Sequence, residues 1–75
     1  MKNCYSMFKC SDGTLICGLK DENGIAYLSS FEFSNNELIL IQEKKINYEH
    51  IVIINQLKNG NIITGSYRSL IQIWD

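Results

Sequence analysis

Apolar residues along the chain come in short β-branched runs broken at regular intervals by glycine and asparagine, with no sustained helical period. A strand holds roughly four to eight residues before a turn signal stops it, and the runs here have that length. The pattern predicts strands near residues 3–10, 14–19, 25–30, 37–44, 51–57, 61–66 and 70–75. Asp12-Gly13 and Asn59-Gly60 supply residues that tolerate positive φ, which tight hairpins require, and Asn35-Asn36 plays a similar part before the fourth strand. Leu38-Ile39-Leu40-Ile41 could pass for helix by composition. It is apolar all round and β-branched at alternate sites, which favours strand. The chain has no proline, so no run is barred from the middle of a sheet.

The first half is echoed by the second. Ser11 to Leu19 lies over Lys58 to Ser66 at a constant offset of 47, matching the turn glycine, two aliphatics and the strand glycine. Upstream, Cys4 to Cys10 lies over Ile51 to Leu57. Downstream, Ile25 to Leu28 is aligned with Ile71 to Trp74 after a one-residue length change. An internal period of this size points to a repeat architecture, in which each unit buries one face only against its neighbour.

Residues 50–75 carry a more specific signal. They begin at His50, run through Asn59-Gly60 and Thr64-Gly65-Ser66, and end on Trp74-Asp75. This stretch resembles one repeat of the WD-repeat β-propeller family, with His50 in the family's histidine position and Trp-Asp closing the third strand. The resemblance implies an all-β fold of antiparallel propeller blades: one four-stranded blade plus three strands of the next, as a fragment of a larger propeller. Residues 1–45 would form a degenerate first blade and residues 46–75 a second blade lacking its outer strand. It also implies a hydrogen-bonded blade network through His50, Thr64 or Ser66, and Trp74. Thr64 and Ser66 share a strand face, so alternation does not choose between them. The network's usual aspartate is missing, since Arg68 stands in its place and Glu49 replaces the usual glycine before the histidine. In the first repeat the histidine, hydroxyl and tryptophan positions are lost as well.

Composition narrows the function classes. At 75 residues the chain is at most one small domain, and 45% apolar residues argue against disorder. A net charge of −1 gives no electrostatic footprint for nucleic acid or an anionic membrane. No apolar run is long enough to predict a membrane helix. Cys4, Cys10 and Cys17 are odd in number and match no zinc or redox spacing, so reduced thiols and no metal are expected. Free thiols fit an intracellular, cytoplasmic setting. His50 is the one histidine, and no nucleophile or carboxylate stands at a spacing that would make it a catalytic base. Asp21-Glu22 read as solvated turn residues.

The expected function is therefore a non-catalytic protein–protein interaction scaffold with no cofactor, whose partners are other proteins and either further blades or copies of the chain itself. Tyr48, Glu49, Tyr67 and Arg68 fall on the rim that the resemblance assigns to contacts, and tyrosine and arginine dominate interface hot spots. The alternatives are a WD-repeat appendage of a multidomain enzyme and a small self-assembling β protein. Trp74 is expected to bury most of its ring, and a cation replacing Gln72 to solubilise the uncharged run from Leu70 to Trp74.

Overall fold

The computed structural model describes residues 2–46, 51–66 and 71–74. All seven expected strands form: β1 (Lys2–Lys9), β2 (Leu15–Asp21), β3 (Ala26–Ser34), β4 (Glu37–Ile46), β5 (Ile51–Gln56), β6 (Ile62–Ser66) and β7 (Ile71–Trp74). They make two antiparallel sheets, β1-β2-β3-β4 and β5-β6-β7, each in chain order. The Cα envelope is 34 × 31 × 15 Å, a thickness that fits two sheets stacked about 10 Å apart.

The turns explain the register. Gly13 and Gly60 have φ of 92° and 94°, while Asp12 and Asn59 stay at negative φ. Each Asx residue instead accepts a backbone N–H through its side chain: Thr14 N–H to Asp12 Oδ1 at 2.9 Å and Asn61 N–H to Asn59 Oδ1 at 3.0 Å. Each turn is closed by the same pair of backbone bonds, Gly13 to Cys10 and Cys10 to Thr14 in one, Gly60 to Leu57 and Leu57 to Asn61 in the other. These are type I turns followed by a left-handed glycine, so only one residue per turn needs positive φ. Asn35 and Asn36 do differ, with φ of 52° and 64°, as a two-residue type I′ hairpin demands. That tight turn lets β3 and β4 run longer than expected, through Phe31–Ser34 on one side.

The repeat is present in three dimensions. β1 is bulged between Cys4 and Ser6, and β5 is bulged between Ile51 and Ile53, the same place 47 residues on. The third strands do not follow the expected alignment. Gly18 pairs with Leu28 but Gly65 with Ile71, so the connection in the second sheet is four residues shorter. Trp74 accordingly lies opposite Ile62 and takes the place of Phe31 opposite Leu15, not that of Leu28.

The core lies between the sheets. Ala26, Leu28 and Ile46 from the first meet Ile51, Ile54 and Ile62 from the second, with Cys10 at one end and Phe8, Ile16 and Trp74 packed against them. The two layers come closest where β5 lies on β1 and β2.

Candidate functional site

Three features of the described residues bear on function: the seam between the sheets, the polar side chains around it, and the faces left open.

At the seam, β5 sits against Gly18. A Cβ added there would lie 2.7 Å from Ser6 Oγ, 2.9 Å from Ile51 Cβ and 3.1 Å from the Ile51 carbonyl oxygen, closer than side chains pack. Glycine at this position lets β5 approach the sheet, independently of φ. Ser6 Oγ–H donates to the Ile51 carbonyl oxygen at 2.7 Å, and Ser11 N–H donates to Gln56 Oε1 at 3.0 Å, fixing the register of β5 along β1. Ile51 is fully buried beneath these contacts.

On the β6–β7 side, Trp74 Nε1–H donates to Thr64 Oγ1 at 3.0 Å. This singles out Thr64 as the indole's acceptor, a choice that strand alternation could not make. Ser66 is buried on the same face. Trp74 itself lies on edge strand β7, packed against the core with most of its surface covered, as expected. Lys44 Nζ stands 5.3 Å from the ring centroid. Ile16, Leu28, Ser30, Gln42, Lys44 and Trp74 line a cavity of about 110 Å³ between the sheets, room for a few waters. Gln72 points into the same layer as Thr64 and Trp74, and no described residue reaches its buried Oε1. It is not the solvent-facing position expected from the sequence. His50, and with it Tyr48, Glu49, Tyr67 and Arg68, lies outside the described residues.

A polar cluster that the sequence did not single out crosses all four strands of the first sheet. Lys2 Nζ pairs with Glu43 Oε2 at 2.9 Å and stands 4.3 Å from the Tyr27 ring centroid. Tyr27 Oη–H donates to Asp21 Oδ2 at 3.1 Å, and Ser29 Oγ–H donates to Glu43 at 3.1 Å. Asp21 Oδ1 accepts the N–H groups of Asn23 and Ile25, holding the β2–β3 turn. These bonds, the Ile25 N–H first, hold the Asp21 carboxyl below its usual 3.8. The Lys2 ammonium keeps Glu43 below 4.5, helped by Ser29. Burial, with Asp21 adding, raises the Tyr27 hydroxyl. The signal in the sequence was weak, since these residues come together only through cross-strand pairing.

The buried Cys17 thiol is pushed up to about 11, mainly by burial and further by the Cys4 thiol beside it, so it stays protonated at neutral pH. Cys10 is also raised by burial. Among the described residues no group of three histidine, cysteine or carboxylate side chains could hold a metal. No helix of the described residues is long and apolar enough to cross a membrane.

Both outward faces expose apolar residues. On the second sheet Ile53, Ile71 and Ile73 are exposed around Gly65. On the first, Met7 is exposed beside half-buried Leu15, Leu19 and Phe31. Compared with protein-family models, curated proteins and solved structures, the chain has no match in any of the three.

Proposed function

We propose that the two sheets are neighbouring blades of a β-propeller of the WD-repeat kind, and that the module is a non-catalytic scaffold for other proteins. The observation that carries this reading is the duplicated sheet architecture: the same bulge, the same glycine turn and the same strand glycine recur 47 residues apart in two stacked antiparallel sheets. The Trp74–Thr64 hydrogen bond adds a two-member remnant of the blade network. The carboxylates that the structure holds in hydrogen bonds serve turns and strands, Asp12 and Asp21 in turns and Glu43 on Lys2. That favours a holding role over a reacting one.

Strand directions put the β2–β3 turn at one end of the molecule and the Lys58-Asn59-Gly60 turn at the other. The connections carrying Tyr48, Glu49, Tyr67 and Arg68 start and finish at the former end, so the proposed contact rim includes Glu22 and the fixed Tyr27 beside it. Photo-crosslinking side chains placed at Glu22 and at Lys58, in cells that make the protein, test this. A discrete protein adduct from position 22 and none from position 58 supports the rim. Equal labelling from both ends, or none from either, overturns it.

A further inference from the structure

We infer that the open Gly65 face is a docking surface for a second copy of this chain, which lays the face containing its own Cys17 onto it. This deepens the two-blade reading above and rests on it.

The chain already contains one example of such a contact. The inner face of the first sheet carries Ser6, Ile16, Gly18, Leu28 and Ser30, and β5 settles on Gly18. Strand pairing gives the outward face of the second sheet the equivalent set: Ile53, Ile63, Gly65, Ile71 and Ile73. It is the same surface 47 residues on along β6, and nothing described covers it. Gly65 makes the case specific. An added Cβ there meets only Ile53 Cβ, at 3.9 Å, an ordinary contact, whereas at Gly18 the same atom is blocked by Ser6 and Ile51. Within one copy, then, glycine at 65 serves no packing need, and its φ is not in the left-handed region. At the equivalent place it is the feature that admits a neighbouring strand.

The mating surface is also present. The second sheet meets the first through Ile51, Ile54, Ile62, Thr64 and Trp74. The first sheet's outward face holds the residues in those same places: Cys4, Met7, Leu15, Cys17 and Phe31. Its apolar residues share the face with Lys9 opposite Leu15, with Ser29 opposite Cys17, and with the Lys2, Asp21, Tyr27 and Glu43 cluster. An apolar face that matches the internal seam in pattern, and another that matches its partner, are complementary by construction. A second copy seated this way repeats the internal rotation from sheet to sheet, a head-to-tail contact that closes only at an integral number of copies. With two sheets per chain and roughly four to eight blades in a propeller, closure falls at about two to four copies.

The two glycines separate the possibilities. The purified 75-residue chain is compared with Gly65→Val and Gly18→Ala by native mass spectrometry and thermal unfolding. The inference expects one closed species of two, three or four chains for the native sequence. Gly65→Val should give a monomer that keeps its β circular-dichroism spectrum, and Gly18→Ala should lower Tm by more than about 5 °C through overpacking of the seam. A monomeric native chain whose Tm falls with Gly18→Ala overturns the second copy as occupant and leaves the two-blade reading standing. Unchanged stability in Gly18→Ala overturns the seam itself and the inference with it. Assembly that survives Gly65→Val, or an open-ended series of oligomers, also overturns the docking proposed here.

Discussion

At the residue scale, the positions that matter are those where one atom decides a packing or hydrogen-bonding outcome. Trp74 and Thr64 are such a pair. Thr64→Val keeps the shape of a buried side chain and removes the indole's acceptor, so it should cost about 1 kcal/mol in urea denaturation, the usual net worth of one hydrogen bond. Trp74→Ala should cost about 3 kcal/mol, the low end for a buried aromatic, because the ring is packed against the core but sits on an edge strand. Thr64→Ser should recover most of the Thr64→Val loss, and a failure to do so would assign the cost to packing. Asp21 makes a separate prediction. Its folded-state carboxyl is held below the ordinary 3.8, so its contribution to stability is present above that value and lost as pH falls through the lower, folded one. Glu43, held below 4.5, acts in the same direction. Tm of the native chain should therefore fall more steeply between about pH 5 and about pH 3 than that of Asp21→Asn, whose amide oxygen still accepts the turn N–H groups. Parallel curves for the two proteins would show that the turn bonds do not distinguish carboxylate from amide.

At the scale of elements, legibility followed how local the cause was. Strands separated by glycine or Asn-Asn turns could be read directly, since the turn chemistry and the β-branched runs act within a few residues of one another. All seven strands formed within a few residues of where the pattern put them. β3 runs past the expected residue 30 because the apolar–polar alternation of Phe31-Glu32-Phe33-Ser34 continues up to the Asn35-Asn36 turn. In the fold a bulge between Ser30 and Phe31 restores pairing against Leu40. What lay beyond reach was non-local. The position of Trp74 opposite Ile62 depends on the length of a connection, and the cluster of Lys2, Tyr27, Asp21 and Glu43 depends on the registers of three strand pairs at once. The same registers turn Gln72 inward, a reversal that no local pattern reveals. The β3–β4 turn gives the test at this scale. Asn36 has φ of 64°, where a β-branched side chain is strained, so Asn36→Val should destabilise the chain by about 1–2 kcal/mol. Hydrogen exchange should show that loss first in Glu37–Ser34 pairing at the hairpin tip.

For the whole molecule, the balance lies between one covered seam and several uncovered apolar surfaces. Leu38, Ile39, Leu40 and Ile41 are each about half exposed on edge strand β4, and Ile71 and Ile73 are exposed on edge strand β7. Such edges carry unpaired backbone groups beside β-prone side chains, and neither strand has a proline to block pairing. Two kinds of association therefore compete. Docking of faces is specific and sensitive to a single Cβ at Gly65. Pairing of edges is unspecific, grows with concentration, and is indifferent to that Cβ. We predict that, at concentrations above those at which the closed species forms, the chain aggregates further through its edges, and that a charge on β7 relieves this. The sequence pattern alone pointed to Gln72 as the place for that charge. The fold moves it to Ile73, because Gln72 faces the first sheet, where a cation would be driven into the layer that holds Thr64 and Trp74. Light scattering and thioflavin binding of Ile73→Lys and Gln72→Lys at equal concentration distinguish the two. Ile73→Lys, which also charges the Gly65 face, should stay dispersed as a monomer with its β spectrum intact, while Gln72→Lys should lower Tm and aggregate sooner. Suppression by Gln72→Lys and not by Ile73→Lys would mean that β7 presents its other face to solvent, and with it that the seam runs along the opposite side of the second sheet.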